Sequence, residues 1–256
     1  MSESDRARLR VATYNVRGCR GTDGRRSEER IAEVIASLEV DVVGLQELDV
    51  NRRRSGGVDQ AAIIAESLGW QKIFHPALRV GEEQYGDAVL SRHPMHLRLA
   101  QELPSVTTRL CPESRAAIWV EIEIGEERLQ LMNTHLGLGR RERLMQAQVL
   151  AGPDWIGGVA ATAPLILLGD FNSLPGSAPC RLLARHLRDI RTLVTPAPGL
   201  RTFPTRYPLL ALDHIFVSDR FQVTSVTVLQ NEKTRVASDH YPLVADLHWA
   251  RAAGTR

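Results

Sequence analysis

Strand-like and helix-like segments alternate over the first part of this chain of 256 residues, and strand follows strand through its middle and its end. Residues 27–38 have apolar side chains at the spacing of an amphipathic helix, with Ser27 as a suitable N-cap. Residues 58–68 and 141–150 are also predicted to be helices. The predicted strands are residues 9–16, 42–46, 71–75, 86–91, 97–103, 115–124, 128–134, 164–170, 212–218, 221–229 and 241–249.

This order of elements does not fit a purely parallel sheet, in which a helix follows every strand. It is typical of two sheets that pack face to face with helices on their outer surfaces. We therefore predict an α/β protein of the α+β type, a four-layer αββα sandwich of two mixed β-sheets with outer helices. Residues 9–249 are expected to form this domain, with residues 1–8 and 250–256 as tails.

The composition is that of an ordinary globular protein, with 43% hydrophobic residues, 24% charged residues and a formal net charge of +2. The three cysteines lie far apart, which excludes a disulfide scaffold and a structural zinc site. No segment approaches the ~20 apolar residues of a membrane span, and the polar start of the chain does not predict a secretory signal. We expect a cytoplasmic monomer without stable membrane insertion.

Several apolar strands end at, or are interrupted by, polar residues that a core strand should not carry. These residues are Asn15, Glu47, His135, Asp170, Asn172, Asp213, Asp239 and His240. Singly, each has a structural explanation: Gly-Asp-Phe-Asn is a favourable turn, Glu47 could be a surface carboxylate, and His135 could be a hydrogen-bonded histidine at the sheet margin. Strand ends converge in space, however, and ligand sites form there. The oxygen ligands suit Mg²⁺ or Mn²⁺, and together with two histidines they indicate metal-assisted phosphoryl hydrolysis.

Seven short segments around these residues occur in an order that resembles the endonuclease/exonuclease/phosphatase superfamily. They are YNVRG (14–18), LQEL (45–48), YGDAVLS (85–91), NTHLG (133–137), LGDFNSLPGS (168–177), LDHIFVS (212–218) and SDHYPLVADL (238–247). That superfamily includes pancreatic-type DNase, exonuclease III-like nucleases, neutral sphingomyelinases and inositol polyphosphate 5-phosphatases. The resemblance covers residues 9–248 and implies a metal-dependent hydrolase of phosphoester bonds.

The resemblance also implies roles for the residues at the strand ends. Glu47 would be the principal ligand of Mg²⁺ or Mn²⁺, with Asn15 and Asp239 completing the metal site. Asp170 would orient and deprotonate the attacking water, and Asn172 would position water or phosphate beside it.

Two histidines and two further side chains would face the substrate. His240, oriented by Asp213, would donate to a phosphate oxygen, and His135, steadied by Asp87, would do so from the other side. Arg115 matches a phosphate-contacting arginine of DNase-like members. Tyr85 lies at a position that contacts substrate in some nucleases, although it could equally be an aromatic residue at a strand edge.

The sequence departs from the family pattern at three places. Arg17 stands where some repair nucleases have an acidic residue, so a metal site that includes this acid is not available. His214 replaces a common tyrosine, and Ala211-Leu212 stands where an arginine often precedes the aspartate matched by Asp213.

Nucleic acid is the substrate that the sequence favours, and a phosphodiesterase or nuclease is the leading interpretation. Clustered arginines could follow a phosphate backbone or could form a solvated surface. They are Arg52, Arg53, Arg54, Arg140, Arg141 and Arg143. The alternatives are a lipid or inositol phosphate as substrate and an inactive binding module on the same scaffold. The sequence shows no obvious apolar hairpin for membrane docking, which counts against a lipid.

Overall fold

The computed structural model describes residues 8–106, 114–160, 162–194 and 199–250. Within these ranges the strands are β1 (Arg8–Asn15), β2 (Val42–Val50), β3 (Gln71–Val80), β4 (Glu83–Ser91), β5 (Met95–Leu103), β6 (Arg115–Ile124), β7 (Glu127–His135), β8 (Leu165–Asp170), β9 (Arg188–Asp189), β10 (Asp213–Val217), β11 (Phe221–Val228) and β12 (Leu243–Trp249). The helices are α1 (Glu28–Leu38), α2 (Gln60–Leu68), α3 (Arg140–Leu150), α4 (Ile156–Val159), α5 (Ala178–Leu183) and α6 (Glu232–Ala237).

The strands form two six-stranded sheets in the described part of the chain. The first has the order β11-β12-β1-β2-β4-β3 and the second the order β5-β6-β7-β8-β10-β9. Each sheet contains one parallel pair, β1 with β2 and β7 with β8, and its other pairs are antiparallel. In these parallel pairs Asn15 lies opposite Gln46, and His135 lies opposite Asp170. Both sheets therefore bring strand ends with polar side chains to one edge.

Three apolar clusters define four layers, which confirms the predicted αββα sandwich. One cluster lies between the sheets, because it joins Val11 and Val42 of the first sheet to Ile118 and Ile166 of the second. Another packs α1, α2 and α6 on the outer face of the first sheet. A third packs α3, α4 and α5 on the outer face of the second sheet. Each sheet thus buries both faces, with one face on its partner and the other on helices.

The first two helices begin at a residue whose side chain caps them. The Ser27 hydroxyl accepts a hydrogen bond from the amide of Arg30 at 3.0 Å, so α1 starts where it was predicted. Asp59 caps α2 in the same way, so this helix begins at Gln60, two residues after its predicted start. Helices α4, α5 and α6 have only four to six residues, too few for a 3.6-residue period to be visible in the sequence. No helix of the described residues is long and apolar enough to cross a membrane.

Candidate active site

The side chain of Asn15 joins the two sheets at their shared edge. Its Nδ2 donates to Oε1 of Glu47 at 2.9 Å and to Oδ2 of Asp170 at 3.0 Å. Glu47 belongs to the first sheet and Asp170 to the second, so one buried amide brings both carboxylates into a single site. The strand ends singled out in the sequence therefore do converge.

A β-bulge directs Glu47 toward this edge. The register between β2 and β4 shifts between Leu45 and Leu48, and Glu47 has a left-handed backbone with φ of +65°. Burial raises the pKa of the half-buried Glu47 carboxyl, and the hydrogen bond from Asn15 lowers it by a smaller amount. The bulge is a backbone irregularity that apolar periodicity does not reveal.

Asn133 of the opposite sheet stabilises this bulge. Its Nδ2 donates to the carbonyl oxygens of Leu45 and Ala88 at 3.0 and 2.9 Å, and its Oδ1 accepts from Gln46 at 2.7 Å. All four hydrogen-bonding groups are buried, so water cannot replace a lost partner. Asn133 is therefore a positioning residue for Glu47 that the sequence analysis did not single out.

Replacement of Asn133 by alanine is expected to lower the free energy of unfolding by about 1–3 kcal/mol, because buried carbonyl groups lose their donor. The bulge should also shift, so the stabilisation that Mg²⁺ gives the folded protein should decrease. Urea unfolding with and without Mg²⁺ measures both effects. Gln222→Ala removes an exposed amide from β11 and should change neither value. An unfolding free energy equal to that of the parent would contradict this role for Asn133.

Asp170 lies at the centre of the site and is buried. Its Oδ2 is 3.5 Å from Nε2 of His135 and 3.6 Å from Nε2 of His240, and its Oδ1 accepts from the amide of Asn172 at 2.9 Å. Burial raises the pKa of Asp170 to about 6, with His240 opposing and Asp213 adding to the shift. The carboxylate is therefore ionised at neutral pH and can accept a proton from water.

His240 is held between two carboxylates. Its Nδ1 donates to Oδ2 of Asp213 at 2.9 Å, while its Nε2 faces Asp170. Burial lowers the pKa of His240, but Asp213 and Asp170 outweigh that effect and raise it to about 10. The ring of Phe203 packs against the imidazole with a centroid distance of 4.8 Å. His240 is therefore an imidazolium with a fixed ring plane and a donor at Nε2.

The ring of His135, in contrast to that of His240, is uncharged. Its Nδ1 lies 3.3 Å from Nη1 of Arg115, and a guanidinium can only donate, so Nδ1 accepts in this contact. Burial, together with the charges of Arg115 and His240, lowers the pKa of His135 well below its usual range. Nδ2 of Asn172 lies 3.1 Å from the same Nε2 and donates to the carbonyl of Leu136 at 2.8 Å.

The predicted support of His135 by Asp87 has to be corrected. Asp87 lies on β4 beside the bulge, where its carboxylate accepts from the backbone amide of Glu47 at 3.3 Å. Arg115 occupies the place beside Nδ1 of His135 instead. Burial raises the pKa of Asp87 to about 7, although the charge of Arg115 lowers it. Asp87 thus supports the side of the site on which Glu47 lies.

Asp239 and Tyr85 lie at the margins of the site. Asp239 forms an ion pair with Arg17, whose Nε is 3.1 Å from its carboxylate, so the residue that departs from the family pattern engages a predicted metal ligand. Tyr85 is buried, and the guanidinium groups of Arg52 and Arg54 lie over its ring at 5.9 and 5.4 Å. Tyr85 therefore anchors two arginines of the first cluster.

Two groups of side chains could hold a cation. Asp170, Asp213 and His240 have ligand-type atoms within 4.8 Å of one another, and a metal there would have to displace the proton of the His240 ring. The carboxylate of Glu47 has no ion pair with lysine or arginine among the described residues, and its hydrogen bond there comes from Asn15. A half-buried carboxylate of this kind is costly without a cation. The carboxylate oxygens that Glu47 and Asp239 offer fit Mg²⁺ or Mn²⁺ better than a softer metal.

The predicted ligands are not equally ready for a metal. Asn15 points Nδ2 at Glu47, while its Oδ1 accepts from the amide of Arg17 at 3.0 Å, so its amide would have to turn to offer oxygen. Asp239 would have to leave its ion pair with Arg17 in order to bind the cation. Ser238, which the sequence analysis left unassigned, donates to the carbonyl of Asn15 at 2.8 Å. Its position next to Asp239 in the segment 238–247 was the available signal.

With this geometry in view, comparison with known proteins identifies the family. The model described as "Endonuclease/Exonuclease/phosphatase family" matches residues 12–240, a range that includes every predicted site residue. The chain belongs to the endonuclease/exonuclease/phosphatase family. Members of this family are hydrolases of phosphoester bonds, which agrees with the chemistry inferred from the strand ends.

Relatives and solved structures support the same assignment. YbhP of Escherichia coli strain K12 is 33% identical over 171 residues, which are 65% of this chain and 64% of YbhP, so the match covers just under two thirds of that relative. The crystal structure of a family member from Beutenbergia cavernae has a TM-score of 0.78 at 24% identity and covers 98% of this chain and 74% of that one. A mannosyl-6-phosphatase of Bacteroides thetaiotaomicron has a TM-score of 0.74 at 21% identity, covering 94% of this chain and 100% of the other. These two likenesses show the shared fold.

Proposed function

We propose that the protein hydrolyses a phosphoester bond with the aid of a divalent metal, Mg²⁺ or Mn²⁺, and that Asp170 activates the attacking water. The observation that supports this most strongly is the position of Asp170, an ionised and buried carboxylate between a charged and a neutral histidine. A general base needs to be an acceptor within hydrogen-bonding reach of its water. Oδ2 of Asp170 meets this need at the point where both sheets end.

Donors around Asp170 would bind the phosphate. The imidazolium of His240 and the guanidinium of Arg115 carry positive charge, and His135 would add a donor from the other side of Asp170. Fixed donors of this kind stabilise charge that develops on the non-bridging oxygens of a phosphate. Asp213 keeps the His240 ring in orientation, and Asn172 limits the movement of the loop after β8.

Glu47 would hold the metal, with Asn15 and Asp239 as further ligands. When bound, the cation supplies Lewis-acid charge next to the phosphate. Asp87 would keep Glu47 in place by accepting the hydrogen bond from its backbone amide. Ser238 would link the ends of β1 and of the 238–240 segment, so that the ligands from both approach the same point.

Several of the clustered arginines are engaged by groups of the protein itself, which bears on the choice of substrate. In the first arginine cluster, Arg54 forms two hydrogen bonds to the buried Asp49, and Arg52 lies near Asp49 and Glu83. In the second, Arg143 donates to the carbonyl of Leu138. Less charge is therefore free to follow a nucleic-acid backbone than the sequence suggests. Both nucleic acid and lipid phosphoesters are therefore tested in the hydrolysis panel described next.

A hydrolysis panel tests the proposed function directly. The substrates are single- and double-stranded DNA, RNA, bis(p-nitrophenyl) phosphate, an inositol phosphate, a sugar phosphate and phospholipid vesicles. Hydrolysis of at least one substrate should require Mg²⁺ or Mn²⁺, stop in EDTA and return when metal is restored. Full activity after exhaustive chelation, or no hydrolysis of any substrate with metal present, would contradict the proposal. The second result would favour an inactive binding module.

Glu47→Gln tests the metal site separately. The variant keeps the shape of the side chain and removes its charge, so it should need at least about tenfold more Mg²⁺ for half-maximal activity. It should also lose the increase in melting temperature that Mg²⁺ gives the parent, because a ligand that binds only the folded state stabilises it. Glu121→Gln, an acidic residue in the middle of β6, is the control and should keep that increase. If Glu47→Gln responds to Mg²⁺ like the parent, Glu47 is not a ligand.

A further inference from the structure

Exposed apolar side chains are concentrated around the candidate active site. Seven large apolar residues are exposed in the described part of the chain, and five of them lie on three loops at the catalytic edge. These five, which we call the apolar rim, are Leu138, Leu174, Tyr207, Leu209 and Leu210. Their exposure ranges from 37% to 67%. A soluble surface has little reason to collect such residues at one place unless something covers them.

Each loop of the apolar rim is connected to a predicted catalytic residue. Leu138 comes three residues after His135, and Leu174 comes two residues after Asn172. The loop with Tyr207, Leu209 and Leu210 leads into Asp213. The amide of Phe171 donates to the carbonyl of Leu212 at 2.9 Å and that of Leu136 to Asp170, so the three loops are neighbours.

The loop of residues 203–210 is a compact turn and corrects an expectation from the sequence. Phe203 and Leu210 form an isolated bridge, and the amides of Leu209 and Leu210 both donate to the carbonyl of Phe203. Tyr207 and Leu209 therefore project from a structured tip at about two thirds of full exposure. Pro204 and Pro208 fall within this segment, in which the sequence showed no obvious apolar hairpin.

Basic side chains lie next to the tip of this turn. A cavity of about 270 Å³ is lined by Thr22, Arg206, Arg235 and Val236. Among the described residues, neither guanidinium forms an ion pair with a carboxylate, and that of Arg206 lies 5.7 Å from the ring of Tyr207. Arg206 follows Thr205, whose amide donates to the carbonyl of Asp239. Available positive charge therefore lies between the apolar rim and the metal side of the site.

We propose that the apolar rim docks on the surface of an anionic phospholipid bilayer and that the substrate is a phosphoester in a lipid headgroup. The inference rests on the proposed function and adds to it the class of substrate. Apolar side chains would enter the interface while Arg206 and Arg235 face anionic headgroups, the combination that holds proteins at membrane surfaces. The candidate active site opens at the same edge, so a headgroup phosphoester reaches Asp170 without its lipid leaving the bilayer.

Sedimentation with sucrose-loaded vesicles tests the docking without requiring catalysis. The protein should bind vesicles with about one third phosphatidylglycerol and should bind pure phosphatidylcholine at least about tenfold more weakly, because anionic lipid attracts the arginines. The Tyr207→Ser/Leu209→Asp double variant should bind the anionic vesicles at least about tenfold more weakly than the parent, since two apolar anchors are lost. Arg206→Gln/Arg235→Gln should also weaken binding and reduce its dependence on salt.

A matched control distinguishes the effect of the apolar rim on vesicle binding from the effect of an exposed apolar residue elsewhere. Leu97 on the edge strand β5 is 53% exposed and Leu174 on the rim is 50% exposed. Leu174→Asp should weaken vesicle binding by several fold, whereas Leu97→Asp should bind like the parent and keep its circular-dichroism spectrum. Equal binding by both variants, or no binding of the parent to anionic vesicles, would overturn the proposal. Binding of duplex DNA that exceeds binding of anionic vesicles at the same salt concentration would overturn it in favour of nucleic acid.

Failure of the docking inference can be distinguished from failure of the proposed function. Hydrolysis of bis(p-nitrophenyl) phosphate reports the chemistry alone, and vesicle binding by the Asp170→Asn variant reports the docking alone. If the soluble ester is hydrolysed and vesicles are not bound, the docking inference is wrong and the proposed function stands. If vesicles are bound and no ester is hydrolysed with metal present, the proposed function is wrong. Hydrolysis of the headgroup phosphoester of phosphatidylglycerol in vesicles, measured as release of a water-soluble phosphate ester, supports both the proposed function and the docking inference.

Discussion

Asp170→Asn is expected to lower kcat by about 10²–10⁴, the usual loss when a positioned general base is removed. The amide keeps the shape of the side chain, and its oxygen can still accept hydrogen bonds from the amide of Asn172 or from Asn15. It cannot take a proton from water at neutral pH. The fold should therefore persist while the reaction stops. Initial rates on the best substrate of the panel, at saturating Mg²⁺, measure the effect.

The control for this variant is Asp154→Asn, an exposed aspartate on the outer face of the second sheet. It should keep the kcat of the parent. The melting temperature of Asp170→Asn should stay within a few degrees of the parent, so that loss of activity cannot be attributed to unfolding. A variant that folds and retains near-normal kcat would remove Asp170 from its proposed role and leave the activation of water to another group.

Gly169→Ala is expected to have the largest effect on folding. Gly169 has φ of +149°, and a Cβ atom there would lie 1.8 Å from the carbonyl oxygen of Thr134 on the neighbouring strand β7. Left-handed strain and the forced separation of β7 from β8 should together lower the free energy of unfolding by about 2–5 kcal/mol. Activity should fall as well, because Asp170 is the next residue. Chemical unfolding followed by circular dichroism measures the loss.

Gly199→Ala is the matched control, because no atom lies within 4 Å of a Cβ built at that glycine and its φ is not positive. It should change the free energy of unfolding by less than about 1 kcal/mol, or increase it slightly. If Gly169→Ala were as stable as the parent, the close approach of β8 to β7 would have to be relieved by a movement larger than the packed sheet allows.

Much of the fold could be predicted because its signals are local. The spacing of Ile31, Val34 and Ile35 predicts a helix, and Ser27 marks its start. Strand β8 begins with an apolar run, and the second half of β6 alternates apolar and acidic residues. The order of strand-like and helix-like segments indicated two packed sheets with outer helices, but it did not give the order of the strands within each sheet.

The contacts within the site were harder to predict because they depend on distant parts of the chain. Nothing near Asp87 in the sequence indicates a bulge in β2, and that bulge is the reason Asp87 contacts Glu47 instead of His135. Arg17 was noted as a departure, but its ion pair with Asp239 requires the turn after β1 to face the 238–240 segment. The left-handed backbone of Arg17 arranges that contact.

The sheet order also determines when the protein can begin to act. Strands β5 to β10 are consecutive and build the second sheet, whereas the first sheet pairs β1 with β12, and Arg8 bonds Asp246 across 238 residues of sequence. During translation the second sheet can therefore be complete while β1 is paired only with β2 and still lacks β12. Asp239 and His240 come just before β12 in the sequence, so they reach Asn15 and Glu47 only when β12 pairs with β1. Pairing of β12 with β1 is therefore expected to be the step that completes the candidate active site.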